Sequence, residues 1–402
     1  VRRIAIAPRA DWKQQAESLG FRFHTIDGAP YWDESAYYAF RLRQVEDDIE
    51  QPSQQIHDMA MALVDEVVGS EELLAKLHVP PLYWDWIASS WRNGDPHLYG
   101  RIDLAYDGRG PAKLYELNYD TPTSLYESAY FQWLWLEQQL ASGALPAGSD
   151  QYNGIQEVLC ETFATLALQQ RIGARVHFAA VRESEEDQAT VLYMRDCAHQ
   201  AGIDTALVAV EDIGISADGW FTDADDNVIQ TLFKLYPLEF MMEEEFGPSL
   251  VANTMQLLEP PWKAILSNKG VLPLLWERHR GHPNLLEARF ETVQGEVPPP
   301  GFVRKPLFSR EGANIDIVTG DGARISTPGP YADGPGIIQA YHPLPCFDGN
   351  YPLVGSWIVA DRACGVGVRE DATLVTQDTS RFVPHAIVED PDGRAAAGVI
   401  EA

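Results

Sequence analysis

Between Arg101 and Ser124 the chain carries residues able to hold a hard cation and a phosphoryl group. Asp103 lies in YGRIDLAYD, and Glu116 and Asn118 lie in AKLYELNYD; the turn GRGP separates the two segments. The pattern reads as two strands joined by a tight loop. Residues two apart on a strand share a face, so Glu116 and Asn118 present two oxygens side by side, and pairing brings Asp103 close. Two carboxylates and an amide oxygen suit Mg²⁺, which takes oxygen ligands and bridges phosphates. Arg101, on the same face as Asp103, can neutralise charge on a phosphoryl group in transfer. The competing reading is a polar hairpin with its charged face in water. Leu104, Leu114, Tyr115 and Leu117 are large and apolar, which argues that the hairpin packs into a core.

Lysine is scarce, seven residues against 23 arginines, yet Lys234, Lys263, Lys269 and Lys305 fall in one stretch. Lys305 lies in a strand beside Phe302 and Val303. A buried lysine needs an anion, such as nucleotide phosphate, unless it sits at a strand edge and snorkels to water. The loop Ser309-Arg310-Glu311-Gly312-Ala313-Asn314 follows. It either closes over phosphates with its N–H groups or is an ordinary hairpin turn; it is not a Walker A loop. Arg369, in VGVREDATLV, either binds phosphate or pairs with Glu370 or Asp371. Ser267, Ser309 and Ser356 lack the G-x-S-x-G setting, and no H-E-x-x-H occurs among the histidines.

The elements around these residues read as follows. The first segment, to about Ser70, is mixed helix and loop, with a clear helix in QQIHDMAMALVDEVV, where Ile56, Met59, Met61, Leu63 and Val67 recur at helical spacing. SLYESAYFQWLWLEQQL is a packed helix, and ASGALPAGSD a boundary. Beyond it, IQEVLCETFATLALQQRI is helical. ARVHFAAV is a strand, QATVLYMRDCAHQAG a strand running into a helix, and TALVAVEDI and NVIQTLFKLYP are strands. That alternation suggests a small parallel α/β unit. Strands at 302–306, IDIV, GIIQAYHPLP, YPLVGSWIVA and RACGVGVRE complete the chain, and the tail from about Asp390 is expected to fray.

The 402 residues, 45% of them hydrophobic, can build two or three lobes. With 59 acidic and 30 basic residues the net charge is -29. That field repels nucleic acid and anionic membranes and attracts a cationic substrate such as a polyamine; the plainer reading is that it keeps the protein in solution. No stretch reaches the roughly 18 apolar residues of a membrane span, and VRRIAIAPRADW has no secretory apolar core. The expectation is a cytoplasmic protein. Cys160, Cys197, Cys346 and Cys364 lack C-x-x-C spacing and read as free thiols.

Long blocks resemble the glutathionylspermidine synthetase family, including its standalone acid–amine ligases. They are LYGRIDLAYDGRGPAKLYELNYDTPTSLYESAYFQWLW, FKLYPLEFM, EPPWKAILSNKGVLPLLWERHRGHPNLL, VRKPLFSREGANI, FDGNYPLVGSW and GVGVRED, running on to TQDTSRFVPH. The resemblance implies an ATP-grasp fold: two α+β lobes around ATP and Mg²⁺, with an inserted small α/β (pre-ATP-grasp-like) domain. The divisions expected are 1–140 and 336–402 for the core, 141–255 for the small α/β domain and 256–335 for the ATP-binding lobe. It also implies a reaction, in which a carboxylate takes the γ-phosphoryl group of ATP and an amine then attacks the acyl phosphate. By motif, Asp103, Glu116 and Asn118 match the magnesium ligands, and Lys269 and Lys305 the ATP-binding lysines. Glu311 and Gly312 match the loop over the phosphates, and Gln339 and Leu374 fall beside the base. Arg101 and Arg369 match arginines at the transferred phosphoryl group, Arg101 also touching the acid. Thr121, Thr123 and Ser124 fall where the acid is held.

Two departures bear on the substrates. The fused bifunctional members carry an N-terminal cysteine amidase domain not present in this sequence. They also have a serine-rich segment where this chain reads Thr-Pro-Thr-Ser. The run Glu183, Glu185, Glu186, Asp187 lies roughly where an amine-binding carboxylate is expected, or is a solvated acidic loop. Two other functions compete. One is a nucleotide-binding module without turnover, which the intact set Arg101, Asp103, Glu116, Asn118, Lys269, Lys305 argues against. The other is a carbohydrate-active protein, suggested by 11 tryptophans that core packing already explains.

Overall fold

The computed structural model describes residues 1–26, 28–252 and 255–389; the tail from Asp390 lies outside them. Two five-stranded antiparallel sheets dominate. The first runs Arg381–Val383, Arg362–Asp371, Tyr351–Val359, Tyr99–Ala105, Lys113–Asn118 in spatial order. The second runs Ala288–Phe290, Gly336–Ala340, Phe302–Pro306, Asp316–Val318, Arg324–Ser326. A parallel sheet, Gln256–Leu258, Thr231–Leu235, Arg175–Ala180, Asp204–Ala209, forms a separate α/β layer. Pairing thus carries the parallel unit to residue 258 and the second sheet to residue 340, past the divisions expected at 255 and 335.

The helix Gln51–Val67 buries Ile56, Ala60, Leu63, Val64 and Val67, a stripe at helical spacing that packs over the strands Tyr351–Val359 and Arg362–Asp371. Met59 and Met61 are only partly covered. The helix Gln132–Ala141 is entered through a π-helical turn, Glu127–Phe131. Such turns carry one extra residue and often mark functional positions.

Two readings are corrected. QATVLYMRDCAHQAG is helical from its start, within Glu185–Gln200. Its β-branched residues favour a strand locally, but the Ser184 hydroxyl accepts from Asp187 N, and Val191, Met194 and Cys197 form a buried helical stripe. The first 70 residues also contain strands: Arg2–Ala5 and Ala36–Phe40 form a small sheet with His385–Ile387. That third strand lies at the far end of the chain, beyond the reach of local pattern. Among the described residues no helix is long and apolar enough to cross a membrane.

Candidate active site between the two large sheets

The hairpin expected around residue 108 forms, and its register builds the site. Arg101 pairs with Asn118 and Asp103 with Glu116; then the pairing slips, so that Leu104 faces Leu114 and Tyr115 is left over. This bulge turns both Tyr115 and Glu116 toward one cleft. On the other side of Asp103 the register continues to Gly355. A Cβ at Gly355 would lie 2.8 Å from Arg101 Cδ, so the glycine lets the arginine lie flat on the sheet.

Arg101 grips Asp103 with two bonds, Nε to Oδ1 at 2.7 Å and Nη2 to Oδ2 at 3.0 Å, and donates to the Thr123 carbonyl at 2.6 Å. Burial pushes the Asp103 carboxyl up, and Arg101 opposes it. Glu116 is drawn toward Lys269, Oε2 to Nζ 3.2 Å. Burial would raise this carboxyl, but Lys269 and Lys305 outweigh it and hold it down to about 2. The Asn118 amide turns its nitrogen, rather than the expected oxygen, to Asp103 Oδ2 at 3.0 Å and Glu116 Oε1 at 3.5 Å. Two carboxylates select a donor, and a half-turn of the amide exchanges the two atoms.

The cleft between the sheets encloses about 720 Å³ of atom-free space, part of it open to solvent. Asp103, Glu116, Lys269, Lys305, Gly312, Gln339 and Leu374 all line it. Beside its charged side chains the lining is apolar, with Leu286, Ile317, Leu344, Leu374 and Tyr341. A polyanion with a flat apolar part fits that lining. Lys305 donates to the Tyr115 carbonyl at 3.0 Å and lies over the Tyr115 ring. Burial lowers its pKa to about 8, with Glu116 opposing and Lys269 adding to the shift. Lys234 and Lys263 take no part here: each is buried in an ion pair, with Asp120 and Glu259.

The loop after Lys305 folds back over the cleft. Gly312 has φ +70°, and a Cβ there would stand 2.6 Å from the Thr376 carbonyl oxygen. Only glycine meets both conditions without strain. Glu311 lies outside the cleft wall, its carboxyl raised by burial and by Asp378.

Asp103 is shared with a smaller pocket that holds Arg101, Ser124, Ser128, Leu353 and Arg369. Neither Glu370 nor Asp371 pairs with Arg369, which donates to the carbonyls of Gln377 and Asp378 and leaves Nε buried without a partner. Glu370 is held instead by Arg3, Arg381 and Tyr38. Thr121 lies in a third, polar pocket with Asn118, Asp120 and Lys269. Thr123 offers Arg101 its carbonyl.

Several residues here escaped sequence reasoning. Arg310 leaves the loop to bind Glu239 at 2.6 Å and the Thr121 hydroxyl at 2.9 Å. Tyr31 and Glu127 bond to each other behind Ser124, 96 residues apart in the chain. Glu186, which the sequence does single out within its acidic run, lies in the first turn of its helix and is pushed up to about 8 by burial and by Glu127, against Arg369. Glu183 and Glu185 are exposed while Glu186 and Asp187 are partly buried, so the acidic run is a helix start with two side chains turned in. No spacing signal connects these positions.

Comparison with known proteins places the molecule. It superposes on a glutathione synthetase-like effector from Globodera pallida with a TM-score of 0.57 over 94% of this chain and 96% of the other, at 11% identity. The fold is of the ATP-grasp α+β type. In sequence, residues 3–388 match the family described as glutathionylspermidine synthase preATP-grasp, and the chain belongs to that family. It is 38% identical to a Haemophilus influenzae protein named "Putative acid--amine ligase", over 94% of this chain and 98% of that one. It is 28% identical to trypanothione synthetase of Crithidia fasciculata and 26% identical to the bifunctional glutathionylspermidine synthetase/amidase of Escherichia coli, spanning 53% and 64% of their lengths. The chain is an ATP-dependent ligase that forms C–N bonds.

Proposed function

We propose that this ligase joins a small carboxylic acid, such as a glutathione-like peptide, to a polyamine-like amine through an acyl phosphate. One observation carries the reading: a single cleft is lined by Asp103, Glu116, Lys269, Lys305, Gln339 and Leu374, and Asp103 joins it to a pocket holding two arginines.

In this reading Lys269 and Lys305 bind the phosphates, Gln339 and Leu374 lie against the base, and the loop at Glu311 and Gly312 excludes water. Thr121, Thr123 and Ser124 hold the acid so that its carboxylate meets the γ-phosphorus between Arg101 and Arg369. The carboxylate oxygen bonds to phosphorus as the bond to ADP breaks. Amine nitrogen then bonds to the acyl carbon as phosphate leaves, and the nitrogen loses a proton. Phosphoryl transfer of this kind depends on positioning and charge neutralisation, which arginines and lysines supply. Among the described residues no three His, Cys, Asp or Glu side chains form a metal cluster. Asp103, Glu116 and the Asn118 amide are an oxygen-only set suited to Mg²⁺ completed by phosphate oxygens. Bound there, Mg²⁺ would draw charge from the β- and γ-phosphates.

The test is ADP release from MgATP across a grid of acids and amines, starting with glutathione and spermidine. Release that requires one of each is expected. Nucleotide binding with no release for any pair would favour a module without turnover.

A further inference from the structure

Glu127 is a buried carboxyl that the reaction as described does not use. It is fully enclosed at the start of the π-helical turn, and its Oε2 has no partner. Native structures seldom leave a buried carboxylate oxygen unpaired, and such an oxygen asks for an explanation. Its Oε1 accepts from the Tyr31 hydroxyl at 2.6 Å, and the Tyr31 oxygen lies 3.1 Å from Ser124 Oγ. Tyr31 is itself 1% exposed. Ser124 Oγ ends this chain of three in the pocket shared with Arg101, Asp103 and Arg369. The other hydroxyl there, on Ser128, is committed to the Ser124 carbonyl at 2.7 Å. Ser124 stands in the left-handed region, φ +67°, a conformation that non-glycine residues hold only when their surroundings impose it.

Proton bookkeeping along the chain follows from the donors available. With Glu127 ionised, the one Tyr31 hydroxyl proton goes to the carboxylate. The Tyr31 oxygen then accepts from Ser124, and Ser124 turns lone pairs to the pocket. With Glu127 protonated, every bond in the chain reverses, and Ser124 turns its proton to the pocket.

We propose that Ser124, Tyr31 and Glu127 form a proton relay that takes the proton an ammonium substrate must lose before its nitrogen can attack the acyl carbon. The inference rests on the ligase reading above. The balance is closed: the nitrogen's proton passes to Ser124 Oγ, the Ser124 proton to Tyr31, and the Tyr31 proton to Glu127. The carboxylate ends as the acid and frees the nitrogen's electron pair for the bond to carbon; the proton lost as that bond forms leaves with the phosphate as hydrogen phosphate. Ser124 touches the substrate; Tyr31 and Glu127 act through it as positioning residues. The charged and titratable groups facing Glu127 are Tyr31, Arg369, Arg101, Glu186 and Tyr126. Burial raises the Glu127 carboxyl and the two arginines oppose it, which suits a group that must both accept and release a proton.

The test compares an alkyl polyamine, which is cationic at neutral pH, with hydroxylamine, which is not. Tyr31→Phe keeps the ring and cuts the relay; Glu127→Gln keeps the shape and removes the acceptor. In both variants the ratio of polyamine to hydroxylamine turnover should fall about 100-fold, the scale of general base catalysis. The acid limb of the wild-type pH profile for the polyamine should also disappear. Equal losses with both nucleophiles would reduce the pair to a structural clamp and overturn the relay, as would an unchanged ratio. Hydroxamate formed by the wild-type protein would keep the ligase reading standing if the relay fails. Its absence with every acid would remove both.

Discussion

Lys305 must be charged to hold a phosphate, yet its strand buries it. An ordinary lysine holds its proton to ~10.4, and this one to about 8. The folded chain therefore releases the proton first, so Lys305 withholds stability near neutrality and returns it as pH rises from about 8 toward 10. Anion binding runs the other way, because it needs the charge. ATP affinity measured by calorimetry without Mg²⁺ should be level below about pH 8 and fall above it, whereas Lys305→Arg should stay level to pH 9.5. A level wild-type curve would mean that the charge is not used. At Gly355, Ala would set a Cβ 2.8 Å from Arg101 Cδ. The arginine must then leave Asp103, at a cost to the fold of about 1–3 kcal/mol, and turnover should drop about 100-fold. Melting temperature and turnover measured together check this; full activity with an intact fold would show that the flat arginine is dispensable. Glu116 and Asn118 were legible because strand period aligns them, Asp103 because a tight hairpin pairs its strand with theirs, and Lys305 because a lysine among Phe302 and Val303 is conspicuous. Tyr31, Glu127 and Arg310 were not, since each meets its partner across many tens of residues.

At the scale of elements, local pattern worked where an element's signal and its burial agree. The hairpin at 99–118 and the helix Gln51–Val67 are such cases. It failed for Ala36–Phe40, whose neighbours in its sheet include residues 385–387, and for Glu185–Gln200, where β-branched residues compete with a helix cap. The join between the hairpin and the parallel layer was also hidden: Asp120, just past the hairpin, pairs with Lys234 inside the parallel sheet and accepts from Leu238 N at 2.7 Å. Both side chains are enclosed. Removing one partner strands a buried charge, so Asp120→Leu should cost about 3–5 kcal/mol. Replacing both with apolar groups removes the charge problem, so adding Lys234→Met should recover most of the loss. Denaturant unfolding of the single and double variants decides it. A double variant as unstable as the single would assign the cost to the Leu238 bond and to packing instead.

Across the whole molecule, -29 formal charges make a field that acts differently on the three substrates. Asp187 and Asp378 lie near Glu311, beside Arg369. A polyamine is drawn toward such a region, whereas ATP and an anionic acid must approach against it. This explains why the site's few cations, Lys269, Lys305, Arg101 and Arg369, lie inside the clefts and not on the rim: they act at contact, after the long-range field has done its sorting. Raising salt from about 0.01 to 0.1 M shortens the Debye length from ~30 to ~10 Å and weakens the field before it weakens any contact. Over that range kcat/KM for a polyamine should fall several-fold. For a singly charged amine it should fall less, and for the acid it should rise. The melting temperature should rise as well, because screening relieves the repulsion among like charges. Opposite signs for acid and amine in one salt series cannot come from a change in the fold, which would move all three substrates together. A parallel fall for all three would mean that the acidic surface serves solubility alone.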